Sequence, residues 1–330
     1  MKRSTLTIVA VAVAALAAAG MTSLNALADE HDPDALLWAD YEAGGVTSGN
    51  PEIGLGKCCT HSIQTSGTGR DSTTSIRHEL RQTDAPVKGG MRSESDALNV
   101  DEARFGVGDS RYYAFSVYLP STWAHDGSAE DIVFQWHNTP SPTESCEPKK
   151  TPSAFLAVHP GSDPAPPAEW RLRVNADPNA CTTANSIAMT HFSLGTPALG
   201  QWTDFVFKFD WAYDASGHID AWMQTSKSPG WRQVVDADGP NTYNDNHVGG
   251  YVKWGLYKPG WNGGATNGVD MRAVLHDNVA VGTTCASVMP TGWGAPPGCD
   301  ATAAADFGLA DTAVTAGQTQ LRALARRRRY

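Results

Sequence analysis

The two segments Gln135-Trp136-His137 and Tyr251-Val252-Lys253-Trp254-Gly255-Leu256-Tyr257 decide the fold of this chain. Both have the aromatic and β-branched composition that is typical of β-strands. Because successive side chains of a strand point to opposite faces, Gln135 and His137 share one face and Trp136 takes the other. In the second segment, the residues that share the polar face are Tyr251, Lys253, Gly255 and Tyr257. The segments therefore predict strands with an apolar back and a titratable front, and we expect a ligand to lie in the gap left by Gly255.

Alternating apolar and polar residues extend the strand pattern along most of the chain. The predicted strands cover residues 36–42, 75–82, 111–119, 131–137, 154–159, 170–175, 202–211, 218–224, 250–257 and 271–281. No segment between them shows a convincing amphipathic helix, and turn residues separate the strands. This pattern predicts an all-β antiparallel sandwich or jelly roll.

The two ends of the chain differ from the region between them. Residues 1–28 have a basic start, a short apolar run and the small-x-small site Ala26-Leu27-Ala28, which is typical of a secretory signal peptide. Residues 29–300 form the predicted single β domain, and we expect the protein to be secreted and extracellular. Residues 301–330 are rich in alanine and end in Arg326–Arg329, which predicts a helical or disordered tail.

The charge and the cysteines limit the partners and the cellular compartment. The net charge of −10 makes nonspecific binding to nucleic acid or anionic membranes unfavourable, so we expect neither as a partner and predict a monomer. Six cysteines in an exported chain favour disulfides over a metal site. Cys58 and Cys59 are not expected to pair with each other, because a disulfide between neighbouring residues is strained. We favour a Cys146–Cys181 bridge.

Three motifs carry a resemblance to a known family. Arg92-Ser93-Glu94, Gln135-Trp136-His137 and Lys253-x-x-x-Tyr257 occur in that order. The chain resembles the jelly-roll polysaccharide lyases, a group with heparin lyase I-like, glucuronan lyase and alginate lyase branches, over residues 36–282. The resemblance implies a concanavalin-like β-jelly-roll sandwich of two antiparallel sheets. The chain departs from the alginate lyase motif at Ser95, where leucine would follow Glu94, and it offers a second arginine strand with Arg77.

The chemistry of these residues fits β-elimination from a 4-linked uronate in an acidic polysaccharide. Gln135 and Arg92 would neutralise the uronate carboxylate, which makes the proton on C5 easier to remove. His137 titrates near neutral pH and suits proton transfer. The resemblance implies His137 or Tyr257 as the base, depending on the sugar, and Tyr257 as the acid. The further predicted substrate contacts are Lys253, Arg77, Tyr251 and Trp261, where Trp261 would stack on a sugar ring.

Several alternatives remain open from the sequence alone. The substrate could be glucuronan, alginate or a heparin-like chain. A glycoside hydrolase on the same scaffold would need two carboxylates, and the Glu-x-Asp-x-x-Glu strand typical of such enzymes is absent. A noncatalytic carbohydrate-binding module would need no aligned acid and base. No cofactor is required by this chemistry, although the resemblance allows a calcium ion at Asp245 and Asn246, which otherwise form a turn.

Overall fold

A computed structural model of the chain describes residues 34–139, 151–160, 168–244, 249–264 and 268–299. The predicted signal peptide and the alanine-rich tail lie outside these ranges, as do Cys146 and the candidate calcium ligands Asp245 and Asn246. All described residues belong to one unit, which spans residues 31–330. Within the described ranges, no helix is both long enough and apolar enough to cross a membrane.

Strands make up almost all of the regular structure in the described ranges. The strands are β1 Leu37–Ala39, β2 Gly54–Gly56, β3 Ile63–Ser66, β4 Ser75–Arg81, β5 Arg92–Asp96, β6 Ser110–Leu119, β7 Asp131–His137, β8 Ala154–His159, β9 Glu169–Ala176, β10 Ala188–Gly195, β11 Gln201–Asp210, β12 His218–Thr225, β13 Ser228–Asp238, β14 Tyr251–Tyr257 and β15 Met271–Gly282. Four short 3-10 helices cover Gly45–Thr47, Asp101–Ala103, Pro259–Trp261 and Ala286–Val288.

These strands form two antiparallel sheets that pack as a sandwich. The first sheet has the order β13-β12-β11-β6-β15-β4-β3, with β1 also paired to β15. The second sheet has the order β10-β9-β8-β7-β14-β5-β2. Strands distant in sequence are neighbours in both sheets, as in a jelly roll. The predicted all-β sandwich of two antiparallel sheets is therefore confirmed.

The core lies between the sheets and is rich in aromatic side chains. Phe134 and Trp136 of β7 point into it, as the strand alternation predicted, and both are fully buried. Phe115 from β6 in the other sheet stacks on Phe134 with ring centroids 3.9 Å apart. Such stacking adds about 0.5–1.5 kcal/mol to the burial of the rings. The second sheet thus has a rigid apolar back, and its other face is left for polar residues.

The strands with strong alternation follow the sequence prediction, and it misses strands that are short or largely exposed, including the 11-residue β13. β7 and β8 begin and end at the predicted residues, and β14 begins one residue later than predicted. β2 and β3 have only three and four residues, too few for a visible alternation. β10 has no alternating burial, because nearly all of its side chains are at least partly exposed. Periodicity cannot reveal a strand that buries neither face.

The disulfides differ from expectation at one point. Cys58 and Cys59 are bonded to each other, so the expectation that they would not pair is wrong. They lie in a tight turn in which the backbone N–H of Ser62 donates to the Cys59 carbonyl at 3.2 Å. This turn holds the backbone of the two neighbouring cysteines, which their sequence positions alone do not reveal. Cys285 and Cys299 form a second bridge that fastens the segment after β15 to the first sheet. The Cys146–Cys181 bridge stays a prediction.

A buried ion cluster joins three segments at the end of β14. Lys258 Nζ lies 2.6 Å from Asp126 and 2.8 Å from Asp131, and Arg272 Nε lies 2.9 Å from Asp131. All four side chains are at most 2% exposed. Because each buried charge needs its partners, the cluster fixes where the chain leaves β14.

We predict that Lys258→Met destabilises the fold by about 3–5 kcal/mol, because it leaves two carboxylates without their shared ammonium. Urea denaturation of the full chain measures this loss in the free energy of unfolding. The exposed Lys227 provides the matched control, since Lys227→Met should stay within about 0.5 kcal/mol of wild type. Equal stability of the two variants would contradict a structural role for the cluster.

Candidate active site

Three neighbouring strands of the second sheet carry the predicted site residues. Lys253 of β14 lies opposite Gln135 of β7, and Tyr251 lies opposite His137. On the other side of β14, Tyr257 lies opposite Arg92 of β5. Direct cross-strand partners share a face of a sheet, so these six side chains all point away from the core. The sequence placed them on separate motifs, and the sheet brings them together.

Glu94 of β5 is the centre of this group. Its carboxylate accepts a hydrogen bond from the Gln135 amide and forms an ion pair with Lys253. Arg92 Nη1 lies 3.3 Å from the same carboxylate. Glu94, Gln135 and Lys253 are each less than 5% exposed. One buried carboxylate therefore links β5, β14 and β7 and fixes three of the predicted residues relative to one another.

The cluster carries more positive than negative charge. Arg92 and Lys253 share Glu94, while Asp96, which lies opposite Lys253, pairs with the exposed Lys88 at 3.6 Å. Burial lowers the pKa of the Lys253 ammonium, and the ion pair with Glu94 opposes that shift. In addition, Arg92 Nε has no hydrogen-bond partner among the described residues. Because two cations share the Glu94 carboxylate, the cluster can attract a further carboxylate from outside the protein, although the Arg92 Nε atom itself is buried.

His137 is held in the form of a base. Its Nδ1 lies 2.7 Å from the carbonyl oxygen of Asn138. Because a carbonyl can only accept, Nδ1 carries the proton and Nε2 keeps its lone pair. Burial lowers the pKa of His137, and the nearby positive charge of Lys253 adds to this effect. The neutral imidazole therefore dominates at neutral pH.

Tyr251 forms a wall beside His137. The two ring centroids are 5.4 Å apart, and the planes are inclined by 36°. Burial, together with the charges of Asp96 and Glu94, raises the pKa of Tyr251 to about 12. Its phenol therefore keeps its proton at neutral pH and can donate a hydrogen bond to a bound ligand.

Tyr257 is oriented from both sides. The Arg92 guanidinium carbon lies 4.4 Å from the centroid of the Tyr257 ring, a cation–π contact. Asn262 Nδ2 donates to the phenolic oxygen at 2.9 Å, and Asn262 Oδ1 accepts from the Met91 backbone N–H at 2.8 Å. The phenolic oxygen is thus an acceptor inside the protein, which leaves its own proton available to a substrate.

The absence of a side chain at Gly255 serves the protein's own packing. The residue has φ +132°, and a Cβ built there would lie 2.4 Å from the Ser93 carbonyl oxygen and 2.8 Å from His78 Cδ2. The register with β7 is irregular between Trp254 and Tyr257. The expectation that Gly255 leaves a gap for a ligand is therefore wrong, since the gap is filled by β5 and by a buried histidine.

Arg77 does not join the group. It belongs to β4 of the first sheet and pairs with Glu79, also on β4. Its neighbours His78 and Ile76 point into the core, so Arg77 faces outward on the side of the sandwich opposite Arg92. The two arginine strands look alike in sequence, and only their assignment to different sheets separates them. The structure thus corrects the prediction of Arg77 as a substrate contact.

Trp261 is also misplaced for the predicted role. Its side chain is 2% exposed and packs into the main core, with Lys258 Nζ 5.5 Å from its ring centroid. A ring covered on both faces cannot stack on a sugar, so the predicted platform is corrected to a core residue. The sequence also gave no sign of Asn262, which orients Tyr257 from the loop after β14.

Comparison with solved structures shows the same fold in known enzymes. The endo-β-1,4-glucuronan lyase from the fungus Trichoderma reesei superposes with a TM-score of 0.61 at 19% identity, covering 78% of this chain and 99% of that one. The alginate lyase AlyC3 gives a TM-score of 0.42 at 11% identity, covering 67% and 78%. A glycoside hydrolase family 131 catalytic domain from Coprinopsis cinerea gives 0.40 at 15%, covering 67% and 77%.

The first of these likenesses establishes a shared fold, and the two lower scores are too loose to support an argument. No curated protein matches the chain by sequence. A family model described as polysaccharide lyase matches residues 42–280, which include all three motifs and most of both sheets. The chain therefore belongs to this family and is a polysaccharide lyase.

Proposed function

We propose that this enzyme cleaves a 4-linked uronate polysaccharide by β-elimination, and that glucuronan is the substrate to test first. The observation that carries the proposal is the cluster around Glu94, in which the two cations Arg92 and Lys253 share one carboxylate. His137 and Tyr257 lie on either side of this cluster. The name of the glucuronan lyase that shares the fold supports the choice of the first polymer. Alginate and heparin-like chains are the next substrates to test.

Recognition of the uronate carboxylate falls to Arg92 and Gln135 in this mechanism. Arg92 is half-buried, and of its terminal guanidinium nitrogens only Nη1 contacts Glu94, at 3.3 Å, so Nη2 is left to donate to a ligand. Gln135 has a second amide proton beyond the one that it donates to Glu94. When these groups neutralise the substrate carboxylate, they also stabilise the negative charge that develops as the C5 proton leaves.

His137 acts as the base in this mechanism. Its Nε2 keeps a lone pair for the substrate, because Nδ1 is committed to the Asn138 carbonyl. The neutral form is already favoured at neutral pH, so no proton must be lost before the reaction. Nε2 removes the C5 proton of the sugar, and an enolate-like intermediate forms against Arg92 and Gln135.

Tyr257 acts as the acid. Its phenolic oxygen accepts from Asn262, so its own proton can pass to the O4 atom of the leaving sugar. Breaking the bond between C4 and O4 then creates a double bond between C4 and C5 at the new non-reducing end. Tyr251 holds its proton and lines the site beside His137, where it donates a hydrogen bond to the sugar.

We further propose that the enzyme works outside the cell as a monomer. The signal-peptide pattern at residues 1–28 supports export, and the disulfides Cys58–Cys59 and Cys285–Cys299 are consistent with an oxidising environment. Secretion by the native host, followed by size-exclusion chromatography of the secreted protein, tests both statements.

We expect the purified enzyme to release unsaturated products from a uronate polymer. Only elimination creates a conjugated double bond, so a rise in its ultraviolet absorbance on glucuronan, alginate or a heparin-like chain identifies the reaction and the substrate together. Carboxyl-reduced glucuronan is the matched control, because it lacks the charge that Arg92 would bind. Release of reducing ends without the absorbance would overturn elimination in favour of hydrolysis.

Removing the base or the acid should lower kcat without unfolding the protein. We expect His137→Ala and Tyr257→Phe each to lower kcat by at least ~10²-fold, the usual contribution of a positioned proton-transfer group. Tyr251→Phe should cost less, because Tyr251 only donates a hydrogen bond to the sugar. Circular dichroism checks the fold of each variant, and near-wild-type turnover in a folded variant would remove that residue from the mechanism.

The pH dependence of kcat/KM should report the lowered pKa of His137. The acidic limb is expected below the ordinary histidine pKa of about 6.5, because activity requires the neutral base. Lys253→Met removes a positive charge near the imidazole and leaves Glu94 less compensated, so the limb should move to higher pH. The exposed Lys227→Met variant should keep the wild-type profile, and a limb that stays fixed in Lys253→Met would contradict His137 as the titrating base.

A further inference from the structure

The catalytic face continues beyond the three strands already described. Phe155 of β8 lies opposite Gln135, and Arg173 of β9 lies opposite Phe155. His191 of β10 lies opposite Arg173. Cross-strand partners share a face, so Arg173 points to the same side as Gln135 and lies two strands away, a distance of about 10 Å.

A second row on this face runs parallel to the first. Tyr257 lies opposite Ile132, which lies opposite Ala157, which lies opposite Arg171. The sheet therefore presents two arginines, Arg171 and Arg173, on the side of Gln135 that is remote from Arg92. Neither belongs to a motif that sequence reasoning selected.

These arginines border a cavity of 350 Å³. Its wall also includes His159, His191, Glu130 and the Pro259-Gly260 segment. Pro259 is two residues after Tyr257, so the cavity adjoins the end of the catalytic strand. Its volume is at the lower end of the range for small-ligand sites, about 300–1,000 Å³.

The two arginines differ in how their charge is balanced. Arg171 is committed to Glu169, with Nε at 2.6 Å from the carboxylate, and its Nη1 lies 2.8 Å from His159 Nε2. Since a guanidinium can only donate, His159 accepts this bond through Nε2.

Arg173, in contrast, has only neutral partners among the described residues. Its Nε donates to Asn175 Oδ1 at 3.0 Å, its Nη2 contacts the Met189 sulfur at 2.7 Å, and its guanidinium lies 5.4 Å from the Phe155 ring centroid. Within the described ranges, no carboxylate forms an ion pair with it. An arginine that forms no ion pair, beside a cavity on the catalytic face in which Glu130 is the carboxylate its charge acts on, is suited to bind an anion.

We propose that Arg173 is the centre of a distal subsite that binds the carboxylate of a second uronate in the same polysaccharide chain. The inference rests on the proposed function and extends it, because the polymer would run across the strands from Tyr257 and Gln135 toward β9 and β10. Phe155 forms the apolar floor between the two carboxylate sites, and His191 provides a neighbouring polar group at the rim.

Glu130 gives the subsite a built-in opposing charge. It lines the same cavity, and burial raises its pKa, while Arg173 and Arg171 act in the opposite direction. When it is ionised, a bound uronate would meet it as a like charge. Removing the charge of Glu130 should therefore strengthen binding of the uronate, whereas removing the charge of Arg173 should weaken it.

The test is the dependence of kinetics on oligomer length, with full-length enzyme and β-1,4-linked oligoglucuronates as probes. For long oligomers, Arg173→Gln should raise KM about tenfold with kcat near wild type, the expected loss of one charge-assisted contact in binding. The shortest oligomer that the enzyme cleaves should show no such loss. Glu130→Gln should lower KM for the long oligomers, and Arg77→Gln, the matched control on the opposite sheet, should change nothing.

An unchanged KM for long oligomers in Arg173→Gln, or an equal loss at every length, would overturn the subsite. Its failure can be distinguished from failure of the proposed function. If the wild-type enzyme releases no unsaturated product, elimination is wrong, and titration calorimetry with a long oligoglucuronate then decides the subsite alone. Binding that weakens in Arg173→Gln supports it, and binding that is absent or independent of Arg173 overturns it.

Discussion

The shared carboxylate of Glu94 is the interaction on which the catalytic face depends. It is buried, it touches Arg92, Lys253 and Gln135, and these residues come from three different strands. Buried ion pairs contribute little net stability, because desolvation offsets their attraction. Here the ion pairs hold the side chains in position. If one of the three partners of Glu94 moved, a buried charge or polar group would be left without its partner.

The arrangement is compatible with the acidic polymer proposed as the substrate, although the protein itself is acidic. The net charge of −10 disfavours polyanions at long range. On the candidate catalytic face, however, Arg92 and Lys253 share one carboxylate, and Arg173 forms no ion pair among the described residues. The positive charge is confined to one row of strands, so it attracts an anionic polysaccharide only when the polymer lies on that row. The proposed specificity for acidic sugars would thus come from the placement of these charges rather than from the overall charge.

The carboxylates of the cluster around Glu94 are poorly suited to hydrolysis. A glycosidase of the usual kind needs two carboxylates that flank the bond, one of them able to give up a proton. Glu94 and Asp96 are each about 3% exposed, and both are occupied by ion pairs with lysine or arginine. Among the residues around Glu94, the groups that remain free to exchange protons with a substrate are an imidazole and two phenols, which agrees with membership of the polysaccharide lyase family.

Buried residues behind the candidate catalytic face fix the position of β14 and of Tyr257. Gly255 lets β14 approach β5 and the buried His78, and the cluster of Lys258 with Asp126 and Asp131 fixes the exit of the chain just after Tyr257. Tyr257 is therefore held at both its backbone and its hydroxyl, the latter by Asn262. Such preorganisation would favour the acid role proposed for Tyr257, because an acid must meet one particular oxygen atom of the substrate.

The strands with strong alternation, and the face to which their polar side chains point, could be predicted from the sequence without the structure. This follows because a period of two is a local property, and Gln135, His137, Lys253 and Tyr257 reveal their common side without any partner. The tertiary structure alone decided which strands are neighbours. It separated Arg92 from Arg77 by assigning them to different sheets, buried Trp261, made Glu94 the hub and brought Arg173 onto the catalytic face. Pairing between distant strands depends on the packing of the whole core, and a local pattern carries no information about it.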